Sequence, residues 1–168
     1  YVNDTTGYGT TCHGYTDGEI WIWEASSSTA VPPYVYWLVY NGQDTIRTGT
    51  LSAKNEVRQE KNLPSGHYRI IVRDANGCIN MDYPEADITE PPEVAVVFGK
   101  SDYNGYNISC RGYNDGSVWI ESVTGGNGGY SYFWYTNDAM NSGPDNLDRI
   151  DDIPAGTYYL VTTDRKSC

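Results

Sequence analysis

The chain has 168 residues, with 11 Lys+Arg against 22 Asp+Glu for a net charge of −11, and it carries 18 Gly, 8 Pro, 16 Tyr and 5 Trp. An acidic surface repels polynucleotides and anionic membranes, and no apolar run approaches the ~18 residues of a membrane helix, so nucleic-acid binding and membrane insertion are set aside. The length suits one large domain or two of roughly 75 to 100 residues each.

Helix formers are scarce: Leu occurs only at 38, 51, 63, 147 and 160, and Gly or Pro punctuates almost every ten-residue window. Tyr, Trp, Val, Ile and Thr fill the intervals, which predicts an all-β chain of short strands and tight turns. In chain order, the block Cys12-His-Gly-Tyr-Thr-Asp17-Gly18 leads into Glu19-Ile-Trp-Ile-Trp23. Alternation there predicts a half-buried strand with Ile20 and Ile22 inward and Trp21 and Trp23 outward. Tyr34-Val-Tyr36-Trp37-Leu38 reads as a second strand, followed by a long middle from Tyr40 to Asn62. Leu63-Pro-Ser-Gly66-His-Tyr68 then opens a strand in which Tyr68, Ile70 and Val72 alternate with Arg69, Ile71 and Arg73, closing on Asp74-Ala-Asn-Gly-Cys78. A corner of this kind lets a Tyr hydroxyl tie the strand start to a nearby backbone group, and Tyr68 is the candidate. Ile88-Thr-Glu-Pro91-Pro92-Glu93 follows as a stiff extended connector.

Beyond the connector the pattern returns. Cys110-Arg-Gly-Tyr-Asn-Asp115-Gly116-Ser-Val-Trp119-Ile120 repeats the first block 98 residues further on. Tyr130-Ser-Tyr132-Phe-Trp134 repeats the tyrosine strand at an offset of 96, which sets Leu38 opposite Trp134 unless a bulge brings Trp37 there. Ile153-Pro-Ala-Gly156-Thr-Tyr158 repeats the corner at an offset of 90 and ends on Asp164-Arg-Lys-Ser-Cys168, with Tyr158 as the second corner residue. Tyr130, Tyr132 and Trp134 read as core, the Trp lying where immunoglobulin-type sandwiches keep their buried indole. The predicted architecture is two tandem immunoglobulin-like β-sandwich domains, 1–91 and 92–168.

The succession Cys-x-Gly-x-x-Asp-Gly-Ser, Tyr-x-Tyr-x-Trp, Leu-Pro-Ala-Gly-Thr-Tyr, Asp-Ala-Asn-Gly-Cys and Ile-Thr-Glu-Pro resembles the SprB repeat, and the likeness covers both copies almost end to end. That family comprises tandem immunoglobulin-like modules of very large Bacteroidetes cell-surface adhesins, associated with gliding motility and exported by the type IX system. The resemblance implies a structural and adhesive fragment, extracellular and displayed at the bacterial outer-membrane surface. Its implied partners are neighbouring repeats of the same chain and an extracellular polysaccharide or solid surface. The first copy departs by its longer middle, the second by lacking the Asn-Gly turn before Cys168.

Two cysteines bracket each copy, and of the three connectivities open to four cysteines the repeat favours Cys12 with Cys78 and Cys110 with Cys168. Four reduced thiols are the alternative. Calcium is a candidate ligand, because hard cations take oxygen donors from Asp-rich loops. Asp17, Asp115, Asp74 with Asn76, and the run Asp145, Asp148, Asp151 and Asp152 are turn formers first. The set Asp87, Glu90, Asp102 and Asn104 at the junction is the version to test, since many tandem adhesins stiffen their linkers with calcium. Trp21, Trp23 and Trp119, if turned outward, are candidate glycan or partner contacts. A carbohydrate-binding module with three or more coplanar exposed rings is therefore the alternative reading. Thr5 and Thr45 sit in Asp-Thr patterns similar to Bacteroidetes O-glycosylation acceptors. Catalysis is not expected: His13 and His67 lack a nucleophile context, and the many acids select no pair across a cleft.

Overall fold

The structure is a computed structural model that describes residues 7–23, 29–136 and 146–168. The chain divides into two compact units, Tyr1–Pro91 and Pro92–Cys168. Among the described residues every regular element is a β-strand and every ladder is antiparallel.

Unit 1 contains β1 (Gly18–Trp23), β2 (Tyr34–Tyr40), β3 (Asp44–Leu51), β4 (Val57–Leu63), β5 (Gly66–Arg73) and β6 (Glu85–Ile88). β1 pairs with β4, and the other four form a sheet in the order β3-β2-β5-β6. The long middle of the first copy is thus the β2–β3 hairpin and β4. Three residues join β2 to β3; Asn41 and Gly42 both adopt positive φ, and the Gln43 amide donates to the Tyr40 carbonyl at 3.2 Å to close the turn. Inward residues of the two sheets make one core: Ile20, Ile22 and Leu63 from the two-stranded sheet, and Tyr34, Tyr36, Leu38, Leu51, Tyr68, Ile70 and Ile88 from the four-stranded one. The alternation read for β1 holds, with Ile20 and Ile22 buried while Trp21 and Trp23 are exposed.

Unit 2 contains β7 (Ala95–Lys100), β8 (Gly116–Thr124), β9 (Ser131–Thr136), β10 (Arg149–Ile153) and β11 (Tyr158–Thr163), in sheets ordered β10-β8-β7 and β11-β9. Trp134 is buried, and its indole N–H donates to the Leu147 carbonyl at 2.9 Å. Tyr130 and Tyr132 are half-buried.

The repeat is visible residue by residue. Gly18 faces Leu63 as Gly116 faces Ile153, and Leu38 faces Ile70 as Trp134 faces Leu160. The bulge that would bring Trp37 into that place is absent from the β2–β5 ladder; the register shift after Leu38 is against β3. Trp37 turns to the other face, with the Arg73 guanidinium 5.4 Å from its ring. Both corners form: the Tyr68 hydroxyl donates to the Pro64 carbonyl at 2.6 Å, and that of Tyr158 to Pro154 at 2.9 Å. Asp17 accepts the amide and hydroxyl of Thr11, and Asp115 those of Ser109. Asp74 Oδ1 accepts the amides of Asn76 and Cys78 at 3.0 and 2.8 Å; Asp164 Oδ1 accepts those of Lys166 and Cys168 at 2.8 and 3.1 Å. These motif acids hold turns together, as Asx side chains commonly do.

The cysteines depart from expectation. Cys78 and Cys110 are free and exposed, so neither Cys12–Cys78 nor Cys110–Cys168 is formed. Bridged cysteines need Cβ atoms about 4 Å apart. Cys12 is 5% exposed, while Cys78, whose amide donates to Asp74, lies at the surface.

Candidate functional site

Aromatic side chains left at the surface are the feature most in need of a role. On β1 the inward demand of Ile20 and Ile22 forces Trp21 and Trp23 outward, at 40% and 55% exposure. β4 completes that face: Gln59 stands opposite Trp21, and the exposed Val57 opposite Trp23. The Trp21 indole N–H donates to Glu19 Oε1 at 3.1 Å, and Gln59 Nε2 donates to Glu19 Oε2 at 2.6 Å. The outer face of unit 1 therefore offers two indoles beside a carboxylate and an amide. Such a mixture supplies ring faces for apolar contact and polar groups for hydroxyls.

Trp119 is different. It is half-buried, with the Arg149 guanidinium 4.9 Å from its ring centre and Gly99 against its other atoms, close enough that an added Cβ would collide with the indole. Asp151 accepts from Arg149 Nε at 2.8 and 2.9 Å, which raises the guanidinium pKa and lowers that of the Asp151 carboxyl. Of the three expected contact residues, the structure brings Trp21 and Trp23 onto one exposed face and keeps Trp119 under a cation.

A second aromatic surface was not read from the sequence. Phe133, Tyr135 and Tyr159 stack in succession on β9 and β11, with ring centroids 6.2 and 5.1 Å apart and planes inclined by 24° and 17°. A shallow depression of about 380 Å³ lined by Phe133, Val161 and Thr163 adjoins them. Their signal was available: once Tyr132, Trp134, Tyr158 and Leu160 point inward, strand alternation places Phe133, Tyr135, Tyr159 and Val161 outward.

The expected calcium ligands are engaged otherwise. Asp87 Oδ1 lies 2.7 Å from His67 Nδ1, and this contact with Asp87, followed by Glu85, raises the His67 pKa. Glu90 accepts the Gly14 amide at 2.7 Å. Asp102 accepts the Gly105 amide at 2.6 Å across a turn in which Asn104 takes positive φ. Among the described residues no group of three or more His, Cys, Asp and Glu side chains is gathered to hold a metal ion. Loop carboxylates near a free backbone amide are captured by that amide, which is the physical reason. Thr45 is exposed on β3, opposite Val39; Thr5 lies outside the described residues. His13 Nδ1 contacts the Pro91 carbonyl at 3.2 Å and Glu90 at 3.6 Å. A disulfide fits an oxidising, non-cytoplasmic environment. Compared with known proteins, the chain matches no family model and no curated protein.

Proposed function

We propose that the chain is a non-enzymatic, structural and adhesive fragment of a repetitive bacterial cell-surface adhesin, built of two immunoglobulin-like β-sandwich modules of the SprB-repeat type. The observation that carries this reading is how the recurring residues are used. Asp17 and Asp115, Asp74 and Asp164, and Tyr68 and Tyr158 occupy the same structural stations in the two copies, each bonded to backbone. A repeat whose shared residues maintain turns and corners favours a building block over a catalyst, since a catalyst would keep its reacting groups in common. The acidic surface suits a crowded array, because like charge keeps modules soluble and deters edge-to-edge strand pairing.

A second reading has a specific observation behind it: the exposed pair Trp21 and Trp23 beside Glu19 and Gln59 favours carbohydrate binding. One experiment addresses both. Beads coated with the full chain are passed under flow over glass and over polysaccharide films, alongside beads carrying W21A/W23A and beads carrying albumin. The adhesive reading expects retention above albumin. Equal retention of chain and albumin on every surface rejects it, and release of reducing sugar from the films rejects the non-enzymatic part. Loss of retention in the double variant on polysaccharide alone favours the carbohydrate-binding reading.

A further inference from the structure

The two copies share a strand register on their outer faces. In unit 1 Trp37 stands opposite Ile71 and Val35 opposite Arg73; in unit 2 Phe133 stands opposite Val161 and Ser131 opposite Thr163. Trp37 and Phe133 are therefore equivalent positions, as are Arg73 and Thr163. In unit 1 the Arg73 side chain crosses the diagonal between the strands and sets its guanidinium 5.4 Å from the centre of the Trp37 ring. Diagonal neighbours in a ladder lie about 7–8 Å apart, a distance that a long side chain spans and a short one does not.

Thr163 ends at its γ atoms, and the place that the guanidinium fills in unit 1 is open in unit 2. The depression of about 380 Å³ found there is lined by Phe133, Val161, Ser131, Thr163, Tyr132 and Asn146. Tyr135, which stacks on Phe133 with centroids 6.2 Å apart, does not line it, so it opens on the side of the Phe133 ring away from the stack. Among the described residues none that lines it is charged, and Ser131, Thr163 and Asn146 supply neutral oxygen acceptors beside the ring. The chain around it is acidic, with a net charge of −11. Its floor consists of paired residues of β9 and β11, so the opening comes from Thr in the place of Arg within that ladder.

We propose that this depression is a docking site for an arginine side chain of a basic protein partner, whose guanidinium takes over Phe133 the place that Arg73 takes over Trp37. The ring face attracts the cation. The planar fork of N–H donors meets the oxygens of Ser131, Thr163 and Asn146, while the aliphatic stem lies on Val161. Arginine suits the site better than lysine, because its flat, weakly hydrated group stacks on a ring while an ammonium keeps its water. The negative field of the chain raises the rate at which such a partner is met. The inference does not rest on the adhesive reading.

The test follows the Phe133, Val161 and Thr163 resonances of the full chain by nuclear magnetic resonance in physiological salt, which screens diffuse attraction to the acidic surface. The probe is an end-blocked Gly-Arg-Gly peptide, raised to about 50 mM because a single exposed guanidinium–ring contact is weak. Progressive shifts centred on these three residues are expected, with an upfield shift of the probe's arginine δ protons from the ring current. The matching lysine peptide should produce shifts several-fold smaller, and the citrulline peptide, which keeps the shape and removes the charge, should produce none. T163R supplies the cation from the chain itself, as Arg73 does in unit 1, and should abolish the response. T45R, an exposed change in unit 1 that alters the net charge equally, should leave it intact. Absence of shifts centred on Phe133, an equal response to the lysine or citrulline peptide, or an undiminished response in T163R would overturn the proposal. Shifts at Phe133 produced by methyl glucoside and not by the arginine peptide would assign the depression to a glycan and overturn it too.

Discussion

Removing the corner hydroxyls should cost the two units unequally. Tyr68 and Tyr158 make the same bond to a carbonyl four residues earlier, at 2.6 and 2.9 Å. Their surroundings differ: Tyr68 is fully buried and its bond to Pro64 is part-buried, whereas the Tyr158 bond is exposed. In Y68F the Pro64 carbonyl loses its donor in a part-buried place, so the cost is about 1–2 kcal/mol. In Y158F water replaces the hydroxyl and the cost is about 0.5 kcal/mol or less. For units of this size about 1 kcal/mol corresponds to roughly 4–8 °C in melting temperature. Y68F should therefore lower the unit 1 transition by about 5–15 °C, and Y158F should move unit 2 by a few degrees at most. Differential scanning calorimetry of the full chain measures both, with exchange at β5 and β11 amides assigning each transition. Equal shifts, or a larger one in Y158F, would refute the claim that burial of the corner sets its worth. The same site predicts an alkaline limit. Burial, with the neighbouring Tyr40, pushes the Tyr68 pKa up to about 12, and burial with the Glu60 contact does the same for Tyr36. The folded state then holds protons that the unfolded chain releases from about pH 10, so stability contributed below pH 10 is lost as pH rises toward 12. Y68F should flatten that decline.

Three further outcomes follow from other sites. The Asp74 pKa is lowered chiefly by the Cys78 amide, and that of Asp164 falls because its amide donors outweigh desolvation. Their stability is present above the unfolded carboxyl pKa near 3.8 and is lost as pH falls through the lower folded values, so D74N and D164N should each shallow the acid unfolding curve below pH 4. G99A places a methyl group against the Trp119 ring. It should destabilise unit 2 by about 1–3 kcal/mol and shift indole emission to the red as Trp119 moves outward; unchanged emission would contradict the packing. Under native, non-reducing conditions a thiol reagent should label Cys78 and Cys110, read by peptide mass mapping. Labelling of neither would contradict their free, exposed state.

Much of the framework is legible in one dimension because its causes are local or periodic. Alternation assigns Ile20 and Ile22 to the core and Trp21 and Trp23 to the surface without any knowledge of the partner strand. The corner is legible because Pro, Gly and Tyr act within five residues of one another, and Leu38 matches Trp134 because strand register preserves the repeat. The acids are ambiguous for a related reason. An Asp in a turn is equally apt for a cation or for the next amide, and composition does not distinguish the two until the loop closes on Asp102 or Asp74. Trp119 was read as outward from alternation alone, and the ring is indeed off the core; what covers it comes from Gly99 and Arg149, on strands 20 and 30 residues away.

The sequence by itself determined the all-β character, the repeat, the strand faces and the corner tyrosines, since each depends on side-chain type at short spacing. Tertiary structure alone decided which cysteines stay free and which carboxylates are consumed by backbone amides. Those outcomes depend on distances between residues far apart in the chain.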